Sequence, residues 1–303
     1  MALSLTDILK MNNAEMGEFI EEQFVNAPEL TFAGGLDSAR PINGTGYNTL
    51  VRTAWPNVAF KKPGEGVTIK SSTYENRRVE TATIEQPIMI TKDRADRAED
   101  GPAEVMALEA SGVMGGTRKT LSQQFYNGVV NDANGFIGCK GAVHSDMVHD
   151  AAGTGSAVSD VWAVKFGPTF CQWQLGKNGS MGLGDVREQL VEVTTGKWAN
   201  HLVQDMLFYP GLAFKHKYCI GCIKNLTAAK TLTGAMLGTL YDKFVDNLGM
   251  VPDAFFMDTR SRRQYQNTLT ATSPTGAEAP IPTEYENIPI IPTAGIGKTN
   301  DAW

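Results

Sequence analysis

Between Lys61 and Glu80, eight of twenty side chains are charged, against 20% for the whole chain. That density constrains what can form around it. So charged a segment cannot bury enough apolar surface to offset the entropy of ordering its own backbone. Strand-like sequences flank it: NTLVRTA ends at Ala54 and VETATIEQPIMI starts at Val79. Together they predict a long hairpin whose tip lacks a core. Such a tip is either a solvated, flexible loop, the simpler reading for the segment alone, or it is ordered by lying on another surface.

The N-terminus poses a similar problem. Leu5, Ile8, Leu9, Met16, Phe19, Ile20 and Phe24 recur in steps that place them along one side of a helix. APELTFAGGLDSARPING then interrupts regular structure with Pro28, Pro41 and several glycines. The amphipathic helix is thus separated from the body and needs an apolar partner elsewhere; another subunit is one candidate.

The rest of the chain predicts a globular α+β protein. It has 303 residues, 42% of them hydrophobic, enough for a substantial core, and its 31 glycines and 14 prolines argue for many turns. DGPAEVMALEASGVMGGTRKTLSQQFYNGV reads as a long helix with Asp100 as cap and Pro102 in its first turn. Gly112, Gly115 and Gly116 weaken it and lead us to expect a kink or tight crossing near Gly115. The second half reads as strands SDVWAVKFG, REQLVEVTT, DMLFYPGLAF and YCIGCIKNL, helix TLTGAMLGTLYDKFVDNLG, strand DAFFMD, helix TRSRRQYQNTL and strand NIPIIPT. No internal repeat or low-complexity tract occurs.

A net charge of −6 and a pI near 5.3 argue against a surface that grips nucleic acid, which requires cations to neutralise phosphates. No stretch reaches the roughly 18 apolar residues of a membrane span, and no secretory leader precedes the first helix. Four cysteines, Cys139, Cys171, Cys219 and Cys222, are too few and scattered for a secreted disulfide scaffold, so synthesis in a reducing cytoplasm is expected.

Cys219 and Cys222 form the strongest metal-like signal, because zinc knuckles bring two thiolates together at this spacing. A knuckle needs a second ligand pair, and the other cysteines are single and distant in sequence. In a strand, residues three apart point to opposite faces. Buried strand cysteines are the simpler reading; a thioredoxin-like role would want the pair at a helix N-terminus. HSDMVHD, from His144 to Asp150, lacks helical ligand spacing, and LGKNGSMGLG, which includes Gly176 and Lys177, lacks the phosphate-loop pattern. No catalytic, cofactor-binding or metal residue is assigned.

The order of elements in the second half, with GSMGLG, PGLAF, KYCIGCIKNL, FFMDTRSRRQYQNTL and YENIPIIPTAGI, resembles tailed-bacteriophage major capsid proteins of the Hong Kong 97 type. Cys222, Ile223, Lys224 and Asn225 match an Arg-Ile-x-Asn-like ending, with cysteine replacing arginine, and Ile288, Pro289 and Ile290 match the closing strand. WPNVAFKKPGEG resembles the Pro-x-Val-x-Phe-Arg start of the family's extended loop, with Lys61 in place of arginine.

The resemblance implies an N-terminal arm (1–46), an extended loop (47–91), a peripheral domain with a spine helix (92–155, also receiving 271–303) and an axial domain (156–270). It implies a subunit, not an enzyme, that assembles as hexamers and pentamers into the icosahedral shell of a virion around double-stranded DNA held only non-specifically. Phe19, Phe24, Lys61, Lys62, Arg77 and Arg78 are the candidate contacts between copies. No cofactor or membrane is implied. A separate scaffolding protein, a portal and a decoration or cement protein are expected partners. The competing readings are a thiol or metal enzyme built on Cys219 and Cys222, and another virion component such as a decoration or tail-tube subunit.

Overall fold

The computed structural model describes residues 26–99, 101–154, 158–179, 182–272 and 279–296. The expected N-terminal helix, with Phe19 and Phe24, lies outside the described residues. In chain order the elements are β1 (Arg40–Pro41), β2 (Gly46–Ala54), β3 (Thr73–Glu80), β4 (Ile84–Thr91), α1 (Lys92–Ala95), α2 (Pro102–Asn127), α3 (Cys139–Ala142), β5 (Val148–Asp150), β6 (Ser159–Val164), β7 (Cys171–Leu175) and β8 (Gly182–Leu183). There follow β9 (Arg187–Thr194), β10 (Lys197–Phe208), β11 (Pro210–Phe214), β12 (Ile220–Leu226), α4 (Gly234–Leu248), β13 (Ala254–Met257), α5 (Thr259–Thr272), β14 (Glu284–Tyr285) and β15 (Ile288–Pro292).

A mixed six-stranded sheet, ordered β14-β15-β13-β6-β12-β5, forms the centre. Every residue of β6 and β13 is buried, because alternate side chains serve two different cores. Val161, Ala163, Ile223, Phe255 and Met257 pack with Leu237, Leu240 and Phe244 of α4 and with Tyr265 of α5. Trp162, Val164, Ile220, Cys222, Ala254 and Phe256 face the other way, onto Leu121, Phe125 and Tyr126 of α2 and onto Trp173 of β7. Helix α4 begins where the Thr233 side chain accepts from the Met236 amide, and it stops at Gly249 in the left-handed region (φ 70°). It approaches the sheet so closely that a Cβ at Gly221 would stand 2.6 Å from Leu240 and 2.7 Å from Phe244.

The second layer is a four-stranded sheet in which β10 pairs with β4, β8 and β9. Ile88 and Ile90 of β4 and Leu202 of β10 meet Ala95 and the first half of α2 through Val105, Met106 and Ala110. Helix α2 thus enters one core with its first turns and another with its last. Its 26 residues span about 39 Å at 1.5 Å per residue. A third sheet, β1-β7-β11, flanks the larger core with Trp173 and Leu212.

Two expectations change, the returning strand of the hairpin and the cap of helix α2. The hairpin's returning strand is β3, inside the charged stretch, whereas Ile84–Thr91 leaves the hairpin to pair with β10. The physical reason is burial: Ile88 and Ile90 find a core beneath α2, while a two-stranded ribbon with both faces open needs only polar and charged side chains. Residues 187–208 join β4 in the sheet under α2. Helix α2 runs unbroken from Pro102 to Asn127, and a Cβ at Gly112 or Gly116 would meet nothing within 4 Å. Its N-cap is Gly101 (φ 86°), and Asp100 lies outside the described residues.

These environments predict opposite outcomes for one chemical change. Gly221→Ala should lower stability by about 1–3 kcal/mol through overpacking. Gly116→Ala should raise it by up to about 1 kcal/mol through helix propensity. Denaturant unfolding of the dissociated subunit measures both.

Candidate subunit interface

The cysteines come together in a way the sequence spacing hides. All four lie in the core cluster between the central sheet and α2, which corrects the view of Cys139 and Cys171 as remote. Cys219 precedes β12, in a turn where its amide donates to the His216 carbonyl (3.3 Å), so its side chain enters the same core as Cys222 and not the opposite face. Burial pushes the Cys219 thiol up to about 12 and the other three well above their usual range. Buried neutral thiols of this kind are poor nucleophiles.

Among the described residues, no group of three His, Cys, Asp or Glu side chains is placed to hold a metal. In HSDMVHD, His144 Nδ1 accepts from the Asp146 amide and Asp150 accepts from the Ala152 amide and Asn225, so both are engaged in local turns. Lys177–Gly179 of the glycine-rich segment forms a single 3-10 turn. Cys222, at the position matched above to an arginine, is fully buried. A buried cation is nevertheless present nearby: Lys140 on α3 stands 3.9 Å from Asp160, and both groups bear on the Cys222 thiol.

The outstanding surface lies on the hairpin. Strands β2 and β3 pair from Gly46–Glu80 to Ala54–Thr73, and residues 55–72 continue beyond them without regular pairing. Trp55 is 82% exposed, Ile69 96% and Phe60 fully, and Val58, Val67 and Leu50 are also open. Singly exposed apolar side chains are ordinary, but this many on one coreless projection mark a contact surface. Lys61 and Lys62 stand exposed among them, at a turn where Lys61 Nζ donates to the Glu65 carbonyl (2.8 Å) and the Lys62 amide to the Glu65 carboxylate (3.4 Å).

Arg77 and Arg78 sit at the other end of the ribbon. Arg77 is partly buried: its guanidinium donates to the Lys215 carbonyl (3.2 Å) and lies 3.8 Å from Glu75. Arg78 pairs with Glu80 at 2.7 Å. Across the root, Arg40 stacks over the Tyr47 ring at 4.3 Å, and the Ala82 amide donates to the Pro210 carbonyl at 2.8 Å. Burial, then Arg77 and Lys217, hold the nearby His216 imidazole below its usual range. A cleft of about 820 Å3 opens here between β3 and residues 133–144. Arg77 is therefore placed to fasten the hairpin root, while the tip lysines stand exposed and bond only within their own turn.

Charge density directed the sequence reading to the cations and away from Trp55, Val58, Phe60, Val67 and Ile69. The readable signal was their presence in a segment too polar to bury them. A second projection, the β9–β10 hairpin, exposes Leu190, Val193 and Trp198 around a turn at Gly196 (φ 77°).

Residues 41–272 match the family model described as major capsid protein GP7. Two solved phage capsids share the fold over nearly the whole chain. The bacteriophage epsilon15 structure superposes with a TM-score of 0.72 at 16% identity, covering 97% of this chain and 95% of that one. The capsid of bacteriophage JBD30 gives 0.58 at 11% identity, covering 97% and 99%. No curated protein matches the sequence. The fold is the α+β Hong Kong 97 type.

The thiol environments predict that a thiol reagent at mildly alkaline pH leaves all four cysteines of the native protein unmodified and labels all four after denaturation. Rapid native labelling of Cys219 or Cys222, read by intact mass, would contradict the burial argument.

Proposed function

The chain belongs to the GP7 family of major capsid proteins, and from that premise we propose that its apolar hairpin is the contact through which copies of it tile a closed shell. The family is one of shell subunits, so the thiol-enzyme, decoration and tail-tube alternatives fall away. The supporting observation is the row Trp55, Val58, Phe60, Val67 and Ile69, held in the open on a ribbon with no core of its own. Such a surface is stabilised when a neighbour covers it, and a contact repeated head to tail closes into rings.

In this reading the subunits form hexamers and pentamers of an icosahedral shell around double-stranded DNA. The chain's net charge of −6 suits a container that does not bind its contents tightly. Lys61, Lys62 and the apolar tip meet the neighbour, Arg77 and Arg78 hold the ribbon at a usable angle, and Phe19 and Phe24 contribute from the arm. The arm (1–46), extended loop (47–91), peripheral domain and axial domain keep the roles expected above, with 187–208 grouped beside the spine helix α2. A separate scaffolding protein, a portal and a decoration protein complete the proposed partners, with synthesis in the host cytoplasm.

Full-length protein, expressed with a scaffold where needed, should form shells or capsomer rings in negative-stain electron microscopy. Trp55→Ser and Phe60→Ser should each remove about 1.5–3 kcal/mol of apolar burial per contact. That raises the concentration required for assembly by about tenfold or more, while the melting temperature of the isolated subunit stays unchanged. Assembly of the double variant at the wild-type threshold would refute the assignment.

A further inference from the structure

Glu29 is the most deeply buried carboxyl among the described residues, with no exposed surface. It sits between three parts of the chain. From α2, the Tyr126 hydroxyl donates to its Oε2 at 3.2 Å, and from the C-terminal segment Thr293 Oγ1 donates to the same oxygen at 3.0 Å. The Trp173 indole of β7 donates to the Glu29 carbonyl at 3.2 Å. The neighbouring residues fasten the same junction. Ala27 and Leu30 are buried in the core, Asn26 Nδ2 donates to the Pro292 carbonyl (3.0 Å), and the Ala294 amide donates to the Asn26 carbonyl (3.3 Å). Gly295 lies so close to α2 that a Cβ there would fall 2.1 Å from Ser122 Oγ.

The second carboxyl oxygen, Oε1, is buried without a hydrogen bond of ordinary geometry, and so is the Ser122 hydroxyl beside this group. Among the described residues no cation is a partner of the carboxyl; the titratable groups facing it are Tyr126 of α2 and Cys139 of α3, both kept neutral by burial. An ionised carboxylate here would leave a charge uncompensated in the core. A proton on Oε1 removes that charge, while Oε2 keeps both of its donors.

We propose that Glu29 is a proton-dependent latch: protonated, it ties the root of the N-terminal segment to α2 and the C-terminal segment, and ionised, it loosens that junction. Burial raises its pKa, against smaller lowering effects from hydrogen bonds with Ser122, its own amide, Thr293 and Tyr126. The sign follows. For a carboxyl raised on folding, the folded state holds the proton longer than the unfolded state. The contribution of Glu29 is complete below the usual value of 4.5 and is lost as pH rises through the raised folded value.

Hydrogen exchange of the full-length protein tests this at the amides of Leu30, Ala294 and Gly295, corrected for the intrinsic pH dependence of exchange. Protection in the wild type should fall with rising pH above 4.5, by up to about tenfold per unit. Glu29→Gln, which is neutral at every pH, should hold the protected level throughout. Identical pH profiles in the two proteins, or wild-type protection that increases with pH, would overturn the latch. Should the variant not fold, infrared spectroscopy of the wild type decides: a protonated carboxyl band persisting where free glutamate is ionised supports the proposal, and its absence refutes it.

Discussion

Every layer of this subunit depends on β6 being buried on both faces. A strand that sends Trp162 and Val164 to one side and Val161 and Ala163 to the other can only sit at the centre of a sheet. Strands β12 and β13 repeat the alternation, so the two cores are fixed relative to each other within one pleat, with no hinge between them. Helix α4 closes one core, and α2 with the aromatic group Phe125, Phe166, Trp173 and Phe256 closes the other.

Much of this was readable from local pattern. DAFFMD and SDVWAVKFG are continuous apolar runs, which is how strands buried on two faces read, and α4 shows its stripe at Leu237, Leu240 and Phe244. What could not be read was partner choice. Val79 to Ile90 is one strand-like run in sequence, yet Val79 and Glu80 pair with β2 while Ile84 onward pairs with β10, more than a hundred residues away. Only the position of a distant core divides the run, and no local propensity encodes it.

The interface was half legible. The missing core around Lys61 was legible, because charge density is a compositional fact and residues 55–72 indeed carry no regular pairing. The apolar row was missed because Trp55, Phe60 and Ile69 have no period to betray them; they follow neither a helix nor a strand. The cysteine pair was read correctly as buried, but its facing was not, because Cys219 precedes β12 and enters the same core as Cys222. Spacing shows which residues can meet, but the burial that keeps a thiol protonated depends on layers assembled from 139, 171 and 219 together.

Helix α2, anchored in one core by Val105 and Met106 and in another by Phe125 and Tyr126, behaves as a strut clamped at both ends. Bending the body would require opening packed side chains at one clamp. Changing the angle of the β2–β3 ribbon requires giving only at a root held by a few hydrogen bonds and one stacked arginine. Compliance is therefore concentrated at the rim. A rigid tile with a soft flange can change the angle of its projection without repacking its interior.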